Sequence, residues 1–401
     1  MNVLYVYDGA WPHGATRPRK QTMALSEAGH RVTLVSRNAE RARREEEETW
    51  MSVRRMPTFP GPLNTLLNFP LFFSPVWFSH IARSARVANA DVIVVEDLPL
   101  APTALAVARV TGTPLVYDMG EVYPEFLKGL QERTPPNLVN RVLRSPEVAR
   151  ALERHVLRGA DHTAVVSNES RDRALTRGAT TERISIVGNT PEDVASLTAP
   201  TECPSAMEAM ADKKVVLFVG IMIHDRGLHE LVAAMPAVIE RHADAALVIV
   251  GEGPERPRLT ESVEQLGLSD HVVMTGWEDH ARLPAYYQRA RVGMLPFLPG
   301  GQIDFTLANK MFDYLGAGLP VVATDVPPMR RIVEESQAGR LVSGPTPESL
   351  ADGISSLLAV DEAEWHAMSE RGKAIVRDEY NWPNDAARFV AAVEAVGRRD
   401  L

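Results

Sequence analysis

Residues 296–324 read PFLPGGQIDFTLANKMFDYLGAGLPVVAT, and their order of loop, helix and strand decides the fold class. A Gly-Gly pair makes a flexible loop, and a helical pattern follows from near Thr306. Gly316 suits the end of that helix, and the apolar run Val321–Ala323 is typical of a strand buried on both faces. A helix that leads directly into a buried strand predicts a parallel sheet covered by helices.

The same alternation runs through the whole chain and predicts an α/β protein. Strands are expected at Val3–Tyr7, Val32–Ser36, Val92–Glu96, Leu115–Asp118, His162–Ser167, Ile184–Val187, Val215–Val219, Ala246–Val250, Val272–Thr275, Val292–Leu295, Val321–Ala323 and Gly339–Val342. Helices are expected at Arg19–Ala28, Thr103–Thr111, Leu228–Arg241, Arg258–Leu266, Arg282–Ala290 and Ala308–Leu315. Because the pattern restarts in the second half, we expect two doubly wound, Rossmann-like domains in series.

The length of 401 residues also suits two domains. Asp193–Asp212 lacks strand character and is the expected linker, so the domains are predicted at 1–195 and 196–378, with a C-terminal helix in 379–401. The tail Asp385–Val396 has one apolar stripe, which is typical of a packed helix. Ligands bind beyond the carboxyl ends of parallel strands, so two facing sheets predict a deep cleft between the domains.

Composition excludes several classes of function. The net charge is −9 and no long basic run occurs, so we expect no nucleic-acid partner. Cys203 is the single cysteine, which excludes a disulfide or a cysteine-built zinc site within one chain. The N-terminus is expected to be a strand rather than a signal peptide, and no apolar stretch is long enough to span a membrane, so a cytoplasmic protein is predicted. The charged block Arg41–Glu48 is interpreted as a solvated loop or helix face.

An uncharged aromatic segment at 59–82 has two interpretations. Prolines interrupt it, so it cannot be one spanning helix. It either covers the core, or it places Phe72 and Trp77 beside an acceptor or in peripheral contact with a membrane surface.

Glycines and charged residues follow the strands of the second half. Gly220 is followed by Arg226 at a helix start, an arrangement that suits phosphate, although a plain surface arginine fits equally well. Gly251 and Glu252 follow the next strand, where glycine lets a ligand approach the backbone or simply makes a tight turn. Arg256 stands where a dinucleotide fingerprint needs its third glycine, so a nicotinamide or flavin enzyme is excluded.

One helix face of the opening stretch carries Asn309, Lys310 and Asp313 at spacings of three and four. A carboxylate there can accept two ribose hydroxyls, while Lys310 and the helix start can bind phosphate. The alternative is an amphipathic helix with ordinary surface charges.

The run from Asn309 to Val322 resembles retaining glycosyltransferase family four, of the GT-B fold. The resemblance extends to Gly29–Val35, Ala160-Asp161, Val166-Ser167, Gly188-Asn189, Arg226-Gly227 and Leu247–Pro254. It implies a metal-independent transferase that moves a sugar from a nucleotide-diphosphate donor, with retention, to a carbohydrate, lipid-linked or natural-product acceptor. In the family the C-terminal helix returns to the first domain.

The resemblance also implies the site residues. Donor-binding positions are Gly220, Arg226, Gly251, Glu252, Trp277, Asp304, Thr306, Leu307, Asn309, Lys310 and Asp313. Acceptor-binding positions are His13, Gly14, Asp97, Gly120 and Glu121, to which the aromatic segment adds Phe72 and Trp77. Arg226 and Lys310 would stabilise the departing diphosphate, and Asp118 and Glu121 would bind the acceptor or relay its proton, unless they merely cap a strand end. No cofactor or metal is expected, since no D-x-D pair follows a strand.

The sequence departs from the family at three positions. The family's first glutamate falls on Phe305, for which the neighbouring Asp304 is the candidate substitute, its arginine after Gly220 is Ile221, and its acceptor-facing histidine is Gly120. These departures keep two alternatives open: an epimerase- or phosphorylase-like enzyme, and a catalytically weak nucleotide-sugar-binding partner subunit.

Overall fold

Runs of valine, isoleucine and leucine form the central strands of two sheets, because β-branched side chains suit a sheet that is buried on both faces. The computed structural model describes residues 1–12, 14–38, 41–69, 72–133 and 144–398. The chain divides into two units: unit 1 contains Met1–Asn189 and Pro383–Leu401, and unit 2 contains Thr190–Trp382.

Unit 1 is built on an eight-stranded sheet. Its strands are β1 (Asn2–Ala10), β2 (Arg31–Arg37), β3 (Glu45–Glu47), β4 (Ser52–Arg55), β5 (Val92–Glu96), β6 (Leu115–Met119), β7 (His162–Val165) and β8 (Ile184–Ile186). The strand order is β3-β4-β2-β1-β5-β6-β7-β8, and every pair is parallel except β3 with β4. The described helices are α1 (Thr16–Glu27), α2 (Pro62–Asn68), α3 (Pro75–Ala88), α4 (Ala101–Thr111), α5 (Tyr123–Arg133), α6 (Pro146–Gly159) and α7 (Asn168–Arg177).

The charged block forms structure that the sequence did not predict. Glu45–Glu47 is the exposed strand β3, so the interpretation as a loop or helix face is wrong for these residues. It pairs antiparallel with β4, and ion pairs join Arg54 to Glu45 at 2.9 Å and Arg55 to Glu46 at 2.7 Å. Opposite charges on paired strands therefore hold this edge of the sheet.

Unit 2 is built on a six-stranded parallel sheet. Its strands are β9 (Lys214–Val219), β10 (Ala245–Val250), β11 (Val272–Gly276), β12 (Val292–Leu295), β13 (Val321–Thr324) and β14 (Gly339–Val342), in the order β11-β10-β9-β12-β13-β14. Its helices are α8 (Ser205–Glu208), α9 (Leu228–Arg241), α10 (Arg256–Gln265), α11 (Leu283–Arg289), α12 (Asn309–Gly316), α13 (Pro327–Ser336), α14 (Pro347–Leu358) and α15 (Glu362–Asp378). The predicted class of two doubly wound, Rossmann-like domains is confirmed.

The expected linker belongs to unit 2. Its residues Leu197, Met207 and Met210 are buried in the unit 2 core, and the amide of Gln288 donates to the carbonyl oxygen of Leu197 at 3.1 Å. The first unit therefore ends at Asn189 rather than at residue 195.

The last helix, α16 (Trp382–Gly397), belongs to unit 1 from Pro383 onward. Its apolar stripe is buried at Phe389, Val393 and Val396. The Glu394 carboxylate lies 3.1 Å from Nε2 of His30, at the start of β2. Among the described helices, none combines the length and the apolar character needed to cross a membrane.

Candidate functional site

A cavity of about 580 Å³ lies in unit 2 at the carboxyl ends of β9, β10 and β11. It is lined by Val219, Gly220, Ile221, Val250, Gly251, Glu252, Gly253, Trp277, Glu278, His280, Leu283 and Lys310. This is the edge of a parallel sheet at which ligands bind in open α/β folds.

Glycines bring the loops at the floor of the cavity into backbone contact. Gly251 has a φ of +141°, and a side chain there would overlap the carbonyl oxygen of Gly220. A side chain at Gly253 would likewise overlap the carbonyl oxygen of Met222. The Gly251 amide also donates to the carbonyl oxygen of Gly276 at 2.8 Å. Only glycine fits at these positions, so the floor is made of backbone.

The rim of the cavity exposes two large apolar side chains. Trp277 is 74% exposed and Ile221 is 52% exposed. The acids beside them are already partnered: Glu252 pairs with Arg256 at 2.6 Å, and Glu278 accepts from the hydroxyl of Tyr286 at 2.8 Å. An exposed indole beside a cavity suits a planar, partly apolar ligand group.

Lys310 is a basic residue that lines the cavity. Its Nζ atom lies 2.5 Å from Oδ2 of Asp313 and 5.9 Å from the ring centroid of Tyr287. Asp313 is only 7% exposed, whereas Asn309 at the start of α12 is exposed. Lys310 and Asp313 therefore share a helix face as expected, with the lysine at the cavity and the carboxylate behind it.

The loop before α12 differs from the expectation. The helix begins at Asn309 and not near Thr306, because a 3₁₀ turn at Gly301–Asp304 comes first. Both the amide and the hydroxyl of Thr306 donate to the carbonyl oxygen of Gln302, at 3.0 Å each. The backbone N–H of Thr306 is thus already used and cannot serve as a helix-start phosphate donor without breaking that bond.

Asp304 and Leu307 have local structural contacts. Oδ1 of Asp304 accepts from the amide of Gly300 at 2.9 Å, and Leu307 packs against the unit 2 core. Neither residue lines the cavity.

Arg226 ends a 3₁₀ turn after β9, and its guanidinium lies 4.3 Å from the ring centroid of Phe297. Burial lowers its pKa from the ordinary value of an arginine, and nearby Asp225 opposes that shift. Arg226 is not a lining residue of the cavity, so Lys310 is the expected cation that the structure places there.

In unit 1, Asp118 is fully buried and bound to Arg17. Nε and one terminal nitrogen of Arg17 donate to its two carboxylate oxygens, at 2.8 and 2.6 Å. Gln21 donates to the same carboxylate at 2.9 Å, and Arg17 also donates to the carbonyl oxygen of Val187 at 3.0 Å. The prediction that Asp118 contacts the acceptor is corrected: it joins α1, β6 and the chain after β8 through one ion pair.

Four other carboxyl groups gather at the carboxyl edge of the first sheet; we call Asp8, Glu96, Asp97 and Glu121 the acidic edge. The amide of Glu121 donates to Oδ1 of Asp97 at 2.9 Å. Burial and the Glu121 charge raise the pKa of Asp8 to about 6. Burial and the neighbouring acids also raise the pKa values of Glu96 and Asp97 well above their ordinary range, and partial burial raises the pKa of Glu121. Perturbed acids grouped in this way are typical of functional sites.

Gly120 is buried, and other side chains lie close to the position that a larger residue would occupy. A Cβ atom there would lie 3.3 Å from Cδ of Arg17 and 3.4 Å from Oδ1 of Asp97. The arginine side chain occupies the neighbourhood that the missing imidazole would need.

The aromatic segment is divided between the core and the surface, and its Phe73 is 60% exposed. Trp77 is fully buried, so its expected contact with an acceptor is corrected to a packing role. Phe72 is half-buried and stands edge-on to Tyr123, with ring centroids 6.0 Å apart. Gly14 is exposed with a φ of +68°, and His13 lies outside the described residues.

Sequence reasoning missed several residues of both sites. In unit 2 these include Glu278, His280 and Leu283, which follow the strand next to β10; in unit 1 they include Asp8, Glu96 and Arg17. The acids stand at strand ends, which is a detectable signal, whereas nothing local marks Arg17.

Two sequence families match the chain. The "Glycosyl transferases group 1" family matches residues 213–360, and the "Glycosyl transferase 4-like domain" family matches residues 14–190.

Among the described residues, no group of three or more histidine, cysteine, aspartate or glutamate side chains is placed to hold a metal ion.

Relatives and solved structures agree with these families. An uncharacterised glycosyltransferase of Methanocaldococcus jannaschii is 32% identical over 47% of this chain and 47% of its own length. D-inositol 3-phosphate glycosyltransferase of Corynebacterium urealyticum is 29% identical over 62% of this chain and 59% of its own length. The matched region thus spans only about half of the length of these relatives.

A solved structure extends the likeness to the whole fold. Sucrose-phosphate synthase from Thermosynechococcus elongatus superposes with a TM-score of 0.78 over 98% of both chains, at 19% identity. The chain therefore belongs to the glycosyl transferases group 1 family, as a family-four-like member with the GT-B fold.

Proposed function

We propose that this protein transfers a sugar from a nucleotide-diphosphate sugar to an acceptor hydroxyl, with retention of the anomeric configuration. The observation that supports it best is the cavity at the carboxyl ends of β9, β10 and β11, with a backbone floor, an exposed Trp277 and the basic Lys310. Its volume falls within the range of small-molecule sites, about 300–1,000 Å³.

Each part of the cavity suits one part of such a donor. The indole of Trp277 offers a flat apolar surface to a nucleobase. The floor at Gly251 and Gly253 permits close approach of the diphosphate or sugar. Lys310 supplies the positive charge that a diphosphate needs.

Asp313 completes this proposal through its pairing with Lys310. The two charges neutralise each other, with Nζ of Lys310 2.5 Å from Oδ2 of Asp313. A bound diphosphate would compete for the ammonium of Lys310, and the released carboxylate of Asp313 could then accept the two ribose hydroxyls. Donor binding would thus exchange one ion pair for another, which limits its electrostatic cost.

The proposed reaction needs no protein nucleophile. The acceptor oxygen forms a bond to the anomeric carbon while the bond from that carbon to the phosphate oxygen breaks. The bonding electrons pass to the phosphate oxygen, which also takes the acceptor's proton. The protein contributes positioning and charge stabilisation, for which Lys310 is the principal candidate in unit 2. We expect the reaction to need no metal.

The test combines donor binding with turnover. A panel of nucleotide sugars is screened by thermal shift, because a ligand at a hundred times its dissociation constant stabilises a protein by about 2.7 kcal/mol. The best donor is then incubated with acceptors, and the release of nucleoside diphosphate and the anomeric configuration of the product are measured. Acceptor-dependent release with retention is expected.

Variants connect the activity to the cavity. Lys310→Met should weaken donor binding at least tenfold. Lys214→Met is the matched control, because Lys214 starts β9 at the opposite end of the same strand. Isomerisation of the donor without an acceptor, phosphate-dependent cleavage, or binding without turnover would each contradict the proposal.

A further inference from the structure

The acidic edge of unit 1 combines four strand-end carboxyl groups that the fold forces together. β1 and β5 are parallel neighbours with Val6 opposite Val95, and β5 and β6 are parallel neighbours with Glu96 opposite Asp118. Asp8 lies near the end of β1, Asp97 directly follows β5, and Glu121 comes two residues after β6. The carboxyl groups therefore meet at one edge of the sheet.

The positive charge near this edge does not balance the acids. Arg17 is occupied by Asp118 through two hydrogen bonds, and Arg37 acts on Asp8. Among the described residues, the acidic edge and Asp118 thus bring five carboxyl groups together with these two guanidinium groups, so acids outnumber bases. Repulsion between these carboxylates favours the binding of a ligand that brings positive charge.

Glu96 is a buried member of the acidic edge. Glu96 is 7% exposed, and within the described part of the chain its Oε2 atom has no hydrogen-bond donor. The charges that act most strongly on this carboxyl are those of Asp97 and Asp118, so it lies among the other acids. A buried acceptor without a donor costs free energy that a bound ligand can recover.

Two tyrosines are neighbours of these acids along the chain: Tyr7 precedes Asp8 on β1, and Tyr123 begins α5 two residues after Glu121. Burial and the charge of Asp8 raise the pKa of Tyr123 to about 12. Burial and the charges of Glu96 and Asp8 raise the pKa of Tyr7. Both rings therefore lie within electrostatic reach of the acidic edge. Carboxylates flanked by tyrosine rings are the surroundings that an organic ammonium group prefers.

The arrangement does not suit a metal ion. In the described residues no three of the acidic side chains come into positions that could hold a metal ion together. Asp8 and Asp97 are half-buried and Glu121 is exposed, so the edge is open to a ligand larger than an ion.

We propose that the acidic edge binds an acceptor that carries a protonated amine, such as an amino sugar or an aminocyclitol. The ammonium group lies between Asp97 and Glu121, within reach of Asp8 and against the ring of Tyr123. This assignment rests on the proposed transferase function, of which it names the acceptor class, but its binding step can be measured without a donor.

The test compares two cyclitols of the same ring size in the full-length protein. 2-Deoxystreptamine is a compact dication, and scyllo-inositol is an uncharged polyol. Calorimetric titration without donor at pH 7.5 should show that the dication binds at least tenfold more tightly, and that its affinity falls as salt rises. Equal affinity for the two cyclitols, or affinity for the dication that is independent of salt, would overturn the proposal.

Variants place the binding at this edge. Asp97→Asn and Glu121→Gln should each weaken 2-deoxystreptamine binding about tenfold or more, and asparagine tolerates the φ of +56° at position 97. Glu27→Gln removes one exposed carboxylate from α1 of the same unit and should change nothing. Thermal shift by the best nucleotide sugar reports that each variant is folded and tests the donor site separately. Unchanged dication binding in both edge variants would refute the assignment while leaving the transferase proposal intact.

Discussion

Replacement of Asp8 by asparagine should stabilise the protein, because Asp8 is held in surroundings that disfavour its charge. Burial and Glu121 raise its pKa from 3.8 to about 6. Since the folded-state pKa is above the unfolded value, the folded chain binds more protons between these two limits. The destabilisation from Asp8 is therefore complete above about pH 6 and disappears as the pH falls through 4.

The size of the effect follows from the shift. Two pKa units correspond to at most about 3 kcal/mol, and solvent access to the half-buried side chain reduces this to about 1–2 kcal/mol. At about 2–4 °C per kcal/mol for a unit of this size, the melting temperature should rise by about 2–8 °C. The asparagine carries no charge at any pH, so the gain should be largest at pH 7.5 and close to zero at pH 4.

Scanning calorimetry of wild type and Asp8→Asn at pH 7.5, 6 and 4 measures this difference. Asp172→Asn is the matched control, because Asp172 is exposed and pairs with its neighbour Arg171 at 3.1 Å; it should shift the melting temperature by less than about 1 °C. A lower melting temperature for Asp8→Asn at pH 7.5, or a gain that persists undiminished at pH 4, would show that Asp8 is not under electrostatic stress.

Three further outcomes are expected. Asp313→Ala should raise the donor dissociation constant at least tenfold, by loss of a charged hydrogen-bond acceptor; titration of the donor into a folded variant that binds within twofold of wild type would contradict this. Gly251→Ala should abolish donor binding, since the new Cβ overlaps the carbonyl oxygen of Gly220, and a thermal shift equal to wild type would disprove the backbone floor. Asp118→Asn should lower the free energy of unfolding by about 3–5 kcal/mol, because it leaves the buried Arg17 charge uncompensated, as urea denaturation can check.

The central strands could be predicted because a parallel strand buried on both faces reads as an apolar run. Val92–Glu96 and Val292–Leu295 have the expected bounds, and α9 likewise spans Leu228–Arg241 as predicted. The edge strand β3 could not be found in this way. Its glutamates have low strand propensity, and it exists because Arg54 and Arg55 on β4 supply partners across the ladder.

The candidate site was predictable only where its chemistry is local. Glycines directly after buried strands identified the cavity floor at Gly220 and Gly251, and the spacing of Lys310 and Asp313 identified their shared face. The pairing of Arg17 with Asp118 joins residues 101 positions apart, so no local pattern reveals it. Trp77 was assigned wrongly because the composition of a segment broken by prolines does not show which of its aromatic side chains point into the core.

The discontinuous chain of unit 1 imposes an order on its synthesis. Thr190–Trp382 is contiguous and is synthesised before Pro383–Gly397 of α16, so unit 1 still lacks most of its last helix while unit 2 is being made. At about 5–20 residues per second, the strand that begins near His30 waits tens of seconds for Glu394, its partner 364 positions later. Unit 1 is thus the first unit to be synthesised and the last to be completed. Until then, chaperones can bind the surface of unit 1 that Phe389 and Val393 later cover.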